Sequence, residues 1–262
     1  MHFLYRRKSS WLLGLIVLLI SSTTKAYVPS VKGLAQLVTA QHGKGIYQVQ
    51  QKVFFSDNKY TLYETWYIKD NLIKLKSSYK NTFSVYSTNK KQVWQESKYF
   101  IAPVGEYFYQ NFFFSKNSSR FFKAAKKIKL SVSKSFSHLL RYNGNPQYII
   151  NNLSNISQTK VPAKYGPNII IDNLRFYIKQ ILFKTNIFLQ ASNYKRYTKG
   201  LWLPKNIQVF FNKQSVTIST IKVKSISSYQ FNQAKPKNET PKEVAVFNKG
   251  SDSLLFFLKH FR

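Results

Sequence analysis

Two blocks of period-two alternation, separated by a stretch that lacks it, constrain this chain more than any other feature. In the first block, residues 46–55 (IYQVQQKVFF) place Tyr47, Val49, Val53 and Phe55 on one face. Residues 60–69 place Tyr60, Leu62, Trp66 and Ile68 on one face, with Tyr63 and Tyr67 on the other. Side chains alternate across a strand, so these runs read as strands with one buried face. The polar segments 56–59 and Asp70-Asn71 between them are turns, and 72–79, 83–87 and 92–95 continue an antiparallel meander. The second block repeats the pattern over 169–172, 175–183, 187–194, 204–211 and 216–227. Its last strand changes alternation near Thr220-Ile221, which predicts a β-bulge there.

The segments around the two blocks are helical or irregular. Residues 30–44 predict a short helix with Leu34, Leu37 and Val38 on one face, ended by Gly43 and Gly45. The middle, 103–143, holds an aromatic cluster (YFYQNFFF, 107–114) and a basic stretch, 120–129. Ser118-Ser119 is placed to cap a helix whose apolar residues are Phe121, Phe122, Ala125 and Ile128. Residues 135–142 predict a second short helix, stopped by Asn143-Gly144-Asn145-Pro146. The Asn-, Ser- and Gln-rich segment 147–166 supports no assignment. Residues 233–242 are a Pro-containing linker, and the apolar patch of Leu254–Leu258 with Phe261 reads as a helix that docks on the domain or adsorbs to a membrane. The plan is α+β: an antiparallel sheet with helices gathered on one side, leaving a concave apolar space between them.

Residues 1–26 have the tripartite pattern of a cleaved export signal. Arg6, Arg7 and Lys8 precede an uncharged apolar run over 11–20, and small polar residues lead to a cleavage site after Ala26. The run is shorter than the roughly 20 residues a spanning helix needs. The chain has no cysteine, so disulfides, thiolate metal sites and an acylated lipoprotein anchor are excluded. Its formal net charge is +32, and between Glu106 and Glu239 the only acidic residue is Asp172. Such a chain is drawn to polyanions, and export leaves lipopolysaccharide or anionic lipid ahead of nucleic acid. Lysine is spread almost evenly along the chain, which equally suits a plain compositional bias.

Catalytic signatures are missing. His42, His138 and His260 have no metal-ligand spacing to each other or to a carboxylate, and no nucleophile elbow, zinc-protease motif or phosphate-binding glycine loop occurs. Glu64 and Asp70 invite comparison with a paired-acid site, but one lies on a strand face and the other in a turn, so a structural role is expected. The expectation is a non-enzymatic protein with no cofactor and no metal.

Two segments carry a family likeness: 45–75, and 169–226 with Asp172, Tyr194, Gly200, Trp202 and Pro204. Together they resemble the periplasmic outer-membrane lipoprotein carrier (LolA-like) superfamily, in which an Asp-containing strand pair precedes a Tyr-containing strand, a Gly-x-Trp-x-Pro turn and a closing hairpin. The resemblance implies a strongly curved antiparallel sheet, an unclosed β-barrel, covered by a helical lid that falls at 103–143. It divides the chain into a signal peptide (1–26), a lipid-binding half-barrel domain (27–232) and a linker with an apolar tail (233–262). It implies a monomeric periplasmic carrier that takes acyl chains of a lipoprotein or phospholipid from an inner-membrane transporter to an outer-membrane acceptor. In the family a basic residue on an early strand holds the lid; Lys52 is the only basic residue on the first strand, and the role is not transferred to it. The aromatic stripe nominates Tyr47, Phe55, Trp66, Phe176 and Phe211 as the cavity-facing set, ligand-binding through apolar contact. The alternative is a cationic envelope protein that adheres to lipopolysaccharide or anionic membrane without a cavity.

Overall fold

The computed structural model describes residues 28–56, 61–70, 72–87, 90–96, 98–130, 135–153, 166–236 and 252–262. The export-signal segment and most of the linker lie outside them, as does Tyr60. One sheet holds thirteen strands in the order β6-β5-β4-β3-β2-β1-β13-β12-β11-β10-β9-β8-β7. The strands are β1 Tyr47–Phe55, β2 Thr61–Lys69, β3 Leu72–Ser77, β4 Phe83–Tyr86, β5 Lys90–Gln95, β6 Lys98–Pro103, β7 Phe136–Tyr142, β8 Asn145–Asn151, β9 Asn168–Asp172, β10 Ile178–Lys184, β11 Ile187–Arg196, β12 Trp202–Phe211 and β13 Gln214–Ser225. Every pairing is antiparallel, and β6 and β7 do not meet, so the sheet is curved and open.

That order explains the lid. Each block is a simple meander, and the blocks join where β1 pairs with β13. The two free edges, β6 and β7, are consecutive in sequence, so the chain between them must cross from one end of the sheet to the other. The crossing segment holds α2 (Gln110–Phe114) and α3 (Ser118–Lys127), whose Phe112, Phe113, Phe121 and Ala125 are buried against the sheet's concave side. Helix α1 (Val31–Ala40) packs beside α3 and buries Leu34 and Val38, while Leu37 stays at the surface. Its cap is Ser30, whose Oγ accepts the Gly33 N–H at 3.1 Å. Helix α3 is capped by Asn117, one residue before the expected serine pair, with Oδ1 accepting the Arg120 N–H at 3.1 Å.

The strand alternation is realised closely. Tyr47, Val49, Val53 and Phe55 are buried, as are Leu62, Trp66 and Ile68. The bulge falls as expected: Gln50 faces Lys222 and Gln51 faces Thr220, which leaves Ile221 unpaired and exposed. The expected helix over 135–142 is instead β7. Asn143 and Gly144 adopt left-handed φ angles of 50° and 79°, the geometry of a two-residue hairpin turn, and Tyr142 pairs with Asn145 across it. An edge strand covered only in part shows no clean alternation, which is why FSHLLRY reads as helical. Strand β8 falls largely in the segment that supports no assignment from sequence, and strand β6 is likewise unforeseen. It too is an edge, with Tyr99, Phe100 and Ile101 exposed, and its KYFIAP sequence carries no period.

Helix α4 (Ser228–Gln233) follows β13 and is fixed by a capping box: Ser227 Oγ accepts the Gln230 N–H at 3.1 Å and Gln230 Oε1 accepts the Ser227 N–H at 2.9 Å. Helix α5 (Asp252–Phe261) is the apolar patch of the tail, and it packs inside the domain.

Candidate functional site

The concave face of the sheet is occupied by α5. Leu254, Phe257 and Phe261 are fully buried, and Phe256 and Leu258 pack at their flanks. Phe55 of β1 meets Phe257 edge-on at 5.6 Å between ring centroids, and Phe211 of β12 stacks on Phe256 at 4.7 Å and lies 5.8 Å from Phe261. The lid closes over the same helix. Tyr107 lies 5.4 Å from Phe261, its N–H donates to the His260 carbonyl at 2.8 Å, and the Gly105 N–H donates to the Arg262 main-chain oxygen at 3.2 Å. Gly105 must be glycine here, because a Cβ would collide with the His260 carbonyl.

A buried ion pair anchors the end of this segment. Arg262 Nε and Nη2 donate to Glu64 Oε1 and Oε2 at 2.8 and 3.0 Å, and Trp66 Nε1 adds a bond to Glu64 Oε2 at 3.2 Å. Both charged side chains are essentially solvent-free, 2% and 0% exposed. The guanidinium lies 4.3 Å from the Phe257 ring centroid and 5.1 and 5.3 Å from those of Trp66 and Tyr109. Burial by itself lowers the arginine pKa, but the Glu64 carboxylate more than reverses this, so the group stays charged. Lys91, whose Nζ donates to the Arg262 main-chain oxygen at 3.0 Å, is pushed down to about 8 by desolvation and by the arginine's charge. The sequence signal for this site is Glu64 itself. It falls on the inward face between Leu62 and Trp66, where an uncompensated carboxylate is untenable.

The lid is latched at its other end by polar bonds. His42, just after α1, places Nδ1 2.8 Å from the Ser115 carbonyl between α2 and α3, so Nδ1 carries the proton and donates. Lys116 Nζ donates back to the His42 and Gly43 carbonyls at 3.1 and 3.0 Å and lies 4.6 Å from the Tyr47 ring centroid. Burial lowers the His42 pKa from 6.5 to about 4, with the nearby Lys116 charge acting in the same direction and the Ser115 bond opposing. The unfolded chain therefore takes up a proton between pH 6.5 and 4 that the folded chain refuses. Stability is complete above 6.5 and falls as pH drops through that window, by up to about 3 kcal/mol. Urea midpoints measured across the window check this; His42→Gln flattens the slope, and an unaltered slope contradicts the assignment.

The residues nominated from sequence divide into groups. Phe55, Trp66 and Phe211 come together on α5 and Arg262. Tyr47 is buried at the rim, where its hydroxyl accepts the Gly45 N–H at 2.8 Å under Lys116. Phe176 sits in the β9–β10 connection with φ 57° and stacks on Tyr148 at 6.1 Å, apart from α5. Lys52 packs over the exposed rings of Phe54 and Tyr63 on the convex side, so the lid is held by His42 and Lys116 instead. The motif residues of the second block are architectural. Asp172 Oδ1 accepts the N–H groups of Leu174 and Arg175 at 3.1 and 2.8 Å, which forms the β9–β10 turn. Tyr194 donates to the Ile178 carbonyl at 2.7 Å and stacks on Tyr177 at 4.4 Å, and Trp202 borders Tyr177 at 5.2 Å. Gly200 supplies the φ of 73° at the turn into β12. Among the described residues no cluster of His, Asp or Glu is arranged to hold a metal ion.

No protein-family model matches the sequence, and no curated protein does. Solved structures match it in fold. A LolA superfamily protein from Nitrosomonas europaea superposes with a TM-score of 0.50 at 7% identity, over 76% of this chain and 94% of that one. A DUF1329 family protein from Desulfovibrio piger gives 0.49 at 10% identity, over 76% and 94%. The chain has the LolA-like fold, an open curved antiparallel sheet with helices on its concave side.

Proposed function

We propose that this chain is an exported carrier that holds acyl chains of a lipoprotein or lipid between its sheet and lid and shuttles them between membranes. The observation that carries the reading is the concave aromatic face under a latched lid, with α5 marking the size and apolar character of what fits there. Full burial of Leu254, Phe257 and Phe261 stabilises the docked helix by about 5–9 kcal/mol. A sixteen-carbon acyl chain buries about 12 kcal/mol at ~0.8 kcal/mol per CH₂. A long chain is therefore strong enough to compete with α5 for the space. The export signal at 1–26 supports a periplasmic location, where an inner-membrane transporter and an outer-membrane acceptor would load and unload the cargo. No catalytic group is required for this work, which agrees with the expectation of a non-enzymatic protein.

Native mass spectrometry of the protein purified gently from a Gram-negative periplasm tests the proposal. A co-purifying lipid or acylated peptide that survives high salt is the expected result. A bare protein that takes up no fluorescent acyl probe overturns it. Anionic lipid that is shed as salt rises would instead favour surface adhesion driven by the +32 charge.

A further inference from the structure

A hollow of about 330 Å3 opens between α3 and the outer strands of the first block. Arg120, Lys123 and Lys127 line it from α3, joined by Asn111 from α2 and by Tyr86 and Ser87 from the end of β4. The three cations stand at i, i+3 and i+7, so they share one helix face. Among the described residues no acidic side chain lines the hollow. Arg120 spends one N–H on the main-chain oxygen of Asp70. The Asp70 carboxylate is the acid that Arg120 feels, and it only partly offsets the desolvation that lowers the arginine pKa. Lys127 is likewise lowered by desolvation. Partly buried Arg120 and Lys127 converge with the exposed Lys123 on a hollow that has no carboxylate among its described lining residues, an arrangement that suits an anion and that an even scatter of lysines does not produce. Among the described residues, the larger hollow of about 650 Å3 beside β12 is lined by a single cation, Lys213, and another of about 350 Å3 near α4 by none.

The hollow abuts the interior at Tyr86. Tyr86 forms its wall, stacks on Phe108 at 4.6 Å and lies 5.8 Å from Trp66, so its ring separates the hollow from the space around Arg262. We propose that Arg120, Lys123 and Lys127 bind a phosphate group, presented by the headgroup of an anionic lipid whose chain enters the concave space past Tyr86. The phosphate site stands on its own geometry, and its assignment to a lipid headgroup rests on the carrier reading.

Calorimetry at about 0.3 M salt, where exposed charges are screened beyond a few ångströms, tests this on protein purified from the periplasm of a host expressing the full sequence. The probes are inorganic phosphate, dihexanoyl phosphatidylglycerol and the uncharged dihexanoylglycerol. The triple variant Arg120→Gln, Lys123→Gln, Lys127→Gln is compared with Lys205→Gln, Lys222→Gln, Lys224→Gln, which removes the same charge from exposed positions on β12 and β13. Glutamine is a good helix former, so α3 persists in the first variant. The expected result is phosphatidylglycerol binding weakened at least about tenfold in the α3 variant and less than about twofold in the control. Equal losses in both variants, or no binding of either phosphate probe to the parent, overturn the site. Inorganic phosphate binding as tightly as the lipid keeps the site but overturns the headgroup assignment. Uptake of the uncharged probe reads the carrier proposal separately. If the uncharged probe is taken up while the α3 variant leaves phosphatidylglycerol binding unchanged, this inference alone fails; if the uncharged probe is not taken up while phosphate binding still depends on α3, the carrier reading fails.

Discussion

Glu64→Gln destabilises the protein by about 3–5 kcal/mol, because it leaves the Arg262 guanidinium buried without a countercharge. Glutamine keeps the shape of the side chain and at most one useful acceptor for a guanidinium fork that now donates bonds at 2.8 and 3.0 Å. The Trp66 N–H, which also donates to Glu64, keeps an acceptor only if the amide oxygen turns towards it. Arginine cannot relieve the problem by losing its proton. Arg262→Ala costs a similar amount, since it strands the carboxylate among Trp66, Tyr86 and Tyr109. The double variant Glu64→Leu, Arg262→Met recovers most of the loss, because a matched apolar pair has no desolvation penalty. Urea unfolding of the three variants measures the effect. Single variants within about 1 kcal/mol of the parent would mean that the pair is solvated and that α5 does not close the site.

Phe257→Ala is the second large effect. The ring is fully buried between Phe55, Phe261 and the Arg262 guanidinium, and its loss leaves a space lined by groups that cannot collapse far. The expected cost is about 3–5 kcal/mol, from lost transfer energy plus the cavity term. Under the carrier proposal the same substitution has a second and opposite consequence. The docked helix now competes less well for the concave face, so affinity for a fluorescent acyl probe rises as stability falls. A purely structural α5 predicts the destabilisation alone. Paired measurements of urea midpoint and probe affinity therefore distinguish the two, and a stability loss with unchanged or weaker uptake counts against exchange between α5 and acyl chains.

The strands were legible because period-two alternation records which face of a segment is buried, and the buried face here is continuous and apolar. Leu62, Trp66 and Ile68 needed no partner to be placed inward. The Thr220-Ile221 bulge was legible for the same reason, since an extra residue reverses the alternation locally. Edge strands escaped this reading. In β6 and β7 burial is partial, so solvent and neighbour blur the period, and the Asn143-Gly144 turn of the β7–β8 hairpin reads in sequence as the stop of a helix.

Sequence by itself determined the two meanders, the α+β plan and the helical character of 118–127 and of the tail, because each is a matter of local spacing. The tertiary structure alone decided what covers the concave face. Glu64 and Arg262 lie 198 residues apart, as do no two groups joined by a turn or a helix, and nothing local links them. Alternation says that a side chain points inward; it does not say whether a lipid, a lid or the chain's own last helix meets it there. That is settled by which apolar surfaces the open, curved topology brings into reach, and here the crossing from β6 to β7 and the return of α5 place Phe257 and Arg262 against Phe55 and Trp66.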